Sequence, residues 1–493
     1  MPNLMLVNPH PPGRHGEESI SVIVQMPLNL AYLAAMTPAH WGRDLIDETL
    51  EMALDDEGRL SCKFDNVDIV AISAITYQAP RAYKIARAAK ARGLAVIMGG
   101  IHASVVPYEV ANYVDAVVIQ EAEQAWTQVC NDYERGELKR FYEGGQLDLE
   151  VLGQTFPDRE FMRTKYDYKY SSIITTRGCP WRCEFCSVPT FQSKFRGRPV
   201  DDVLAEMKNT TYSGLMLAED NFFGYGQKAN DHAKAIFKGM VEQGIWKDWF
   251  GFSTLMTGLD KEALGYMAKS GCFGFLVGLE SDDEEVLKIM NKGPNLRIGG
   301  ISMKDSIANI HEAGLIVWGS VIFGADGQGP DCFKRMVDYI MENSIDVLTF
   351  GISCPFPNTP LHKRLMSDDR LFRSNYPEDW EFYDTAHLTY RLSGMSLEQF
   401  IDGMRYVYDN IYAGSALRAR FHNTLKNNHN PRTALFALRV GQDWKQVFEQ
   451  VLDNLHKLYD SGAYYHKAAP VHLPIQKSSA LQAYKGMFSS SAL

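Results

Sequence analysis

Short apolar runs and longer stretches with apolar positions at helical spacing alternate along the first 140 residues. Residues 4–7, 44–47, 68–73, 94–98 and 114–119 read as strands, and 28–36 and 79–92 as helices. This rhythm predicts an α/β domain built on a doubly wound parallel sheet, flavodoxin- or Rossmann-like, with ligands at the carboxyl ends of its strands. Three of those ends are rich in polar residues and glycine: Ser73-Ala74-Ile75-Thr76-Tyr77, Gly99-Gly100-Ile101-His102 and Gln120-Glu121. Residues 141–170 read as a polar connector with a turn at Glu143-Gly144-Gly145.

The alternation restarts at residue 171 and runs to 375. Strand-like runs at 171–176, 214–218, 249–254, 273–279, 316–323 and 346–352 are separated by helix-like stretches, among them 200–209, 227–243, 260–269, 302–313 and 330–343. Six strand–helix units predict a partial (β/α)6 barrel with its chemistry at the C-terminal strand ends. Glu219-Asp220-Asn221, Ser253-Thr254, Glu280-Ser281 and Gly324-Ala325-Asp326 fall there. Residues 376–493 read as mostly helical. Trp380, Phe382, Tyr383, His387 and Tyr390 crowd a loop-like stretch that reads as core or as a lid over an apolar substrate. Ser396-Leu397-Glu398-Gln399 is a capping-box sequence, helices are expected at 434–440 and 444–458, and a loose tail from Lys467.

Composition sets limits around this picture. A chain of 493 residues exceeds one ordinary domain, and 45% hydrophobic with 22% charged residues is a globular balance. The net charge of −10 disfavours nucleic acid as the main partner. No apolar run spans a bilayer, because the best candidate, 21–36, is interrupted by Gln25, Pro27 and Asn29. The N-terminus lacks the pattern of a secretory signal, and the eight cysteines do not read as a secreted disulfide framework. The expected location is the cytoplasm.

Three of the cysteines change the picture most. Cys179, Cys183 and Cys186 stand at C-x3-C-x2-C in Arg177-Gly178-Cys179-Pro180-Trp181-Arg182-Cys183-Glu184-Phe185-Cys186, just after the first barrel strand. Zinc sites usually pair C-x2-C units and take four protein ligands, and no second pair or nearby histidine completes one. Three thiolates suit a [4Fe–4S] cubane with one iron left for a small chelating molecule.

The loop resembles the signature of the radical S-adenosylmethionine (SAM) family, and residues 1–140 resemble the cobalamin-binding domain that precedes the barrel in one subfamily. The second likeness rests on Ser73 with Thr76, on Gly99-Gly100 with His102, and on a near match to Gly-Glu-Ala-Glu in which Gln120 replaces the glycine before Glu121. The chain lacks D-x-H-x-x-G, so the resemblance implies cobalamin held without a lower histidine ligand. It further implies that SAM is met by Phe185, Glu219, Asp220, Asn221, Ser253, Glu280 and Gly324, with Arg196 and Arg198 as candidates for its carboxylate. Ser353-Cys354-Pro355-Phe356-Pro357-Asn358-Thr359-Pro360 resembles a P-x-P-G-T-P segment, with Asn358 in the glycine's place.

The implied activity is cobalamin-dependent C-methylation of an unactivated carbon. SAM cleavage at the cluster would yield a 5′-deoxyadenosyl radical, and a flavodoxin or ferredoxin would donate the electron. Relatives act on bacteriochlorophyll side chains, hopanoids and antibiotic precursors, and a tetrapyrrole or other large apolar ring is the expected small-molecule substrate. Two alternatives stand beside this reading: radical oxidation, cyclisation or coupling without cobalamin, and a cobalamin-binding regulator with a structural metal. A methylthiotransferase is disfavoured by the missing N-terminal cysteines and basic RNA module.

Overall fold

A computed structural model describes residues 1–10, 25–152, 155–168, 170–224, 226–296 and 303–465. Its first sheet contains β1 (Asn3–Asn8), β2 (Gly42–Asp47), β3 (Ile69–Ser73), β4 (Ala95–Gly99), β5 (Ala116–Gln120) and β6 (Phe141–Gly145). All pairings are parallel, in the order β2-β1-β3-β4-β5-β6. The winding direction reverses at β1, so the switch point lies between β1 and β3. Alternate residues enter two different cores. Met5, Val7, Val70, Ile72, Val96 and Met98 fill one, while Leu4, Leu6, Ile69, Ala71 and Ile97 belong to a core that continues into the barrel. Burial on both faces explains why these strands read as continuous apolar runs.

The expected connector begins inside this domain, because residues 141–145 form its sixth strand. Glycine-rich Glu143-Gly144-Gly145 has poor strand propensity. Close approach decides the matter: a Cβ on Gly144 would lie 1.6 Å from the Glu121 carbonyl oxygen.

The second sheet begins with β7 (Tyr170–Ile173). A small antiparallel hairpin, β8 (Thr176–Arg177) with β9 (Arg196–Gly197), follows. Then come β10 (Gly214–Leu217), β11 (Asp248–Ser253), β12 (Cys272–Glu280), β13 (Ile316–Phe323) and β14 (Val347–Ile352). Six parallel strands in the order β14-β13-β12-β11-β10-β7 make the open barrel expected from the sequence. Helices Val200–Asn209, Gln227–Glu242, Lys261–Lys269, Met303–Glu312 and Cys332–Glu342 connect them.

In the C-terminal region the Ser396 capping box forms, with both reciprocal bonds to Gln399 at 2.9 and 3.2 Å. The two helices expected around residue 441 are one, Pro431–Ser461. Gly441 is a packing position rather than a break, since a Cβ there would meet Leu417 of helix Gly414–Asn428 at 3.0 Å. The expected tail from Lys467 lies outside the described residues. Among those residues no helix is long and apolar enough to cross a membrane.

Much of the aromatic stretch is core, while Phe382 and His387 are half-buried. Trp380, Tyr383 and Tyr390 are buried. Trp380 stacks on Tyr376 at 3.7 Å and lies in one apolar cluster with Cys354 and Tyr383. The Cys354 thiol is accordingly pushed up to about 12 by burial. Trp380 Nε1 donates to both Glu109 oxygens at 3.1 Å. That partner is far away in sequence, which is why the loop's composition alone left core and lid open.

Candidate active site at the facing strand ends

The cysteine loop, residues 178–195, hangs from the β8–β9 hairpin. Gly178 opens it at φ +86°, and a Cβ there would lie 2.0 Å from the Lys194 carbonyl oxygen, so the loop's two ends touch. The loop is pinned by its backbone. Gly178 N–H donates to Asp220 at 2.8 Å and Cys179 N–H to Gln192 O at 3.3 Å. Glu184 N–H donates to Met290 O, and Glu184 O accepts from Leu361 N–H, both at 3.0 Å. Burial pushes the Cys183 thiol up to about 11 and the Cys186 thiol to about 12. Among the described residues no three His, Cys, Asp or Glu side chains converge as ligands of one ion. A cubane offers three separate irons and so asks for thiols set further apart than a single ion does.

Beside the loop, Glu219 follows β10 and is buried. One of its oxygens accepts the Thr175 hydroxyl and the Thr175 N–H, the latter at 3.1 Å. The other has no hydrogen-bond partner. Burial outweighs the Thr175 bonds and pushes the carboxyl up to about 7. Asp220 holds Gly178, and burial raises it against that N–H. Asn221 accepts from Phe223 N–H at 3.3 Å, and Ser253 shares a hydrogen with Thr257 at 2.5 Å. Gly324 sits at φ +86°, and its carbonyl accepts from Tyr390 OH at 2.7 Å.

Glu280 ends β12 at φ +59°, a conformation that costs a residue with a Cβ about 1–2 kcal/mol. Its carboxylate pairs with Lys292 at 2.5 Å. A Cβ on Gly278 would lie 2.3 Å from that carboxylate and 2.5 Å from Lys292 Nζ, so the glycine makes room for the pair. Lys292 Nζ also stands 5.7 Å from the Phe185 ring centre. Burial would lower this ammonium, but Glu280 first and Cys183 next hold it above its ordinary value. Sequence reasoning missed Lys292, because a lysine in a turn reads as solvated.

Two arginines have partners within the protein. Arg196 is committed to Glu121 at 2.6 and 2.9 Å. Arg198 is buried on Glu206 at 2.5 Å and on Ile174 O at 2.9 Å.

The front domain's candidates divide. Ser73 is half-buried at the end of β3 and accepts from Asn29 at 2.5 Å. Thr76 opens the turn after it and is buried. Gly99 ends β4 in ordinary backbone. Gly100 has φ +94°, and a Cβ there would be 2.7 and 2.9 Å from Ala74 backbone atoms, so its requirement is internal. His102 and Glu121 are engaged within the protein. His102 is fully buried, its Nε2 3.0 Å from Tyr83 OH and 3.3 Å from Glu109. Glu121 is taken by Arg196 and by Leu147 N–H at 2.7 Å. Gln120 and Asn358, which stand where glycine was expected, take left-handed conformations, φ +64° and +65°.

The carboxyl ends of both sheets face each other. The end of β5 meets the cysteine loop through Glu121 and Arg196, and Asn358 beyond β14 donates to Val105 O beyond β4. The B12 binding domain family matches residues 24–129, and the radical SAM superfamily matches residues 173–340. The bacteriochlorophyllide d C-12(1)-methyltransferase of Chlorobaculum tepidum is 30% identical over 413 residues, covering 80% of this chain and 85% of that one.

The chain belongs to the radical SAM family, in the branch with a B12-binding domain.

Its relatives in sequence include methyltransferases and, at 24% identity over 71% of this chain and 60% of that one, the anaerobic magnesium-protoporphyrin IX monomethyl ester cyclase of Cereibacter sphaeroides, and its fold has matching solved structures. The cobalamin-dependent radical SAM enzyme OxsB has a TM-score of 0.62 at 13% identity, over 96% of this chain and 82% of that one. The radical SAM methyltransferase TsrM from Kitasatospora setae has a TM-score of 0.57 at 18% identity, over 75% and 78%. The residues present fit this family's chemistry. Three cysteines share one pinned loop, Glu219 keeps an unbonded buried oxygen beside it, and a Lys–Glu pair of opposite charges adjoins it. In the B12-binding domain His102 is buried, with Nε2 bonded inside the domain and Nδ1 without a hydrogen-bond partner.

Proposed function

We propose that this radical SAM methyltransferase uses cobalamin to methylate an unactivated carbon of a tetrapyrrole-type biosynthetic intermediate. The observation that carries the reading is the meeting of two sets of carboxyl strand ends, one bearing the three-cysteine loop and the other Ser73, Thr76 and Gly99. Cys179, Cys183 and Cys186 hold a [4Fe–4S] cluster. When bound, the cluster would supply the electron that splits one SAM, and cobalamin, remethylated by a second SAM, would supply the methyl group. The chain's own residues bind and orient. Glu219 accepts from the methionine amine of SAM through its unbonded oxygen, and Lys292 is the cation for its carboxylate in place of Arg196 and Arg198. Glu280 balances Lys292 until SAM arrives, while the Phe185 segment borders the adenine. Ser73 and Thr76 offer hydroxyls to corrin amides or the nucleotide tail. Closure between the two sheets keeps water from the radical. A cytoplasmic flavodoxin or ferredoxin donates the electron.

The tetrapyrrole assignment leans on the bacteriochlorophyllide relative. Comparison of tetrapyrroles between a gene deletion and its parent tests it. The expected result is loss of one methylated tetrapyrrole and accumulation of its counterpart lacking that methyl group. An unchanged tetrapyrrole profile contradicts the assignment.

A further inference from the structure

The cysteine loop is gripped from the front domain at both its ends. Each strand of its β8–β9 stem carries one arginine, and both arginines bond to the segment that follows β5. Arg196 meets Glu121 through two bonds, 2.6 and 2.9 Å, and donates to Leu147 O at 2.6 Å. Arg177 bonds Glu123 and lies 3.3 Å from Glu121. These four side chains are only 3–13% exposed, and their charges balance two against two. On the loop's returning limb the Phe191 carbonyl accepts from Gln146 Nε2 at 3.3 Å and from Gln120 Nε2 at 3.5 Å. Gln120 reaches it from a left-handed backbone, rare for a residue with a Cβ. The ends of β5 and β6 therefore hold both the stem and the returning limb of the loop.

Bidentate arginine–carboxylate pairs fix direction as well as distance, and they stiffen when water is excluded. Simple docking of two domains would be served by contacts to barrel helices. Here the charged contacts land on the segment that carries the thiols. We infer that Glu121 and Glu123 are positioning residues for SAM cleavage, so that the SAM site is incomplete without the front domain, apart from any cobalamin held there. This rests on the reading that Cys179, Cys183 and Cys186 bind the cluster.

The test uses full-length, cluster-reconstituted protein with Glu123→Gln, Arg177→Gln and the two combined. Iron and sulfide content should match the wild type. The KM for SAM in 5′-deoxyadenosine formation should rise about tenfold or more, and the SAM-induced change in the reduced cluster's electron paramagnetic resonance spectrum should weaken. The double variant should lose less than the sum of the single losses. In cluster-free protein, amide hydrogen exchange across residues 178–195 should quicken in Glu123→Gln while β11 to β13 stay protected. Gln146→Ala alters only an exposed side chain, and exchange near Phe191 should quicken in it even where the charge variants misfold. Wild-type exchange, KM and spectrum in Glu123→Gln overturn the inference, as does unchanged exchange in Gln146→Ala if the charge variants misfold. Wild-type protein that forms no 5′-deoxyadenosine overturns instead the cluster reading, and the exchange result still decides the grip.

Discussion

Gly99 and Gly100 are neighbours with different reasons to be glycine, and separate substitutions should expose the difference. Gly100 lies at φ +94°, and an added Cβ would approach the Ala74 carbonyl oxygen to 2.7 Å and its nitrogen to 2.9 Å. Positive φ with ψ near 180° is a region nearly confined to glycine and costs alanine about 1–3 kcal/mol, and overpacking against backbone that cannot yield adds about 1–3 kcal/mol. Gly100→Ala should therefore destabilise the front domain by about 3 kcal/mol with or without cobalamin. For a domain of this size that lowers its melting temperature by roughly 6–12 °C. Gly99 has ordinary backbone, and a Cβ would stand 3.6 Å from Val118, a normal contact. Gly99→Ala should leave the cobalamin-free melting temperature unchanged. If the corrin lies against this strand end, it should nonetheless lower cobalamin occupancy. Calorimetry of cobalamin-free protein and the visible spectrum after reconstitution provide the two readings. An unchanged melting temperature in Gly100→Ala refutes the steric argument, and full occupancy in Gly99→Ala refutes the placement of the corrin.

Three further outcomes are expected. Cys183→Ala should lose the cluster and all 5′-deoxyadenosine formation, and a variant that still cleaves SAM reductively would sink the cluster assignment. Lys292→Met should raise the KM for SAM about a hundredfold, since breaking a buried charge pair costs about 2–5 kcal/mol, while iron content holds; wild-type KM would remove Lys292 from the site. Folding raises the Glu219 pKa from 4.5 to about 7, so the folded chain keeps its proton longer than the unfolded chain and stability falls as pH rises between those values. From pH 5 to 8 that loss is about 2.5 kcal/mol; Glu219→Gln should abolish it in urea unfolding of SAM-free protein, and equal pH slopes would contradict the burial argument.

Both α/β domains and the order of their elements were legible because buried parallel strands write continuous apolar runs, as at residues 69–73 and 316–323. The three cysteines stood out because their C-x3-C-x2-C spacing is a local pattern that needs no partner elsewhere in the chain. What failed was partner assignment. Glu121 and Arg196 each looked free for a ligand and in fact meet each other across 75 residues of chain. His102, at a strand end, turns inward to Tyr83 and Glu109. Lys292 was invisible because only the fold buries it beside Glu280. The sixth strand hid in a glycine pair, of which Gly144 is required by its close approach to Glu121. Local pattern reports which face of an element is buried; it does not report which charged groups meet across a domain junction.

The most direct test of the account is turnover by reconstituted enzyme with SAM labelled by deuterium in its methyl group, under reducing conditions, with and without cobalamin. With cobalamin, the product of a bacteriochlorophyllide-type substrate should carry the labelled methyl group and 5′-deoxyadenosine should accumulate. Without cobalamin, 5′-deoxyadenosine should still form and the labelled product should not. Labelled product at full rate without cobalamin, or no 5′-deoxyadenosine under either condition, would contradict a cobalamin-dependent radical methylation.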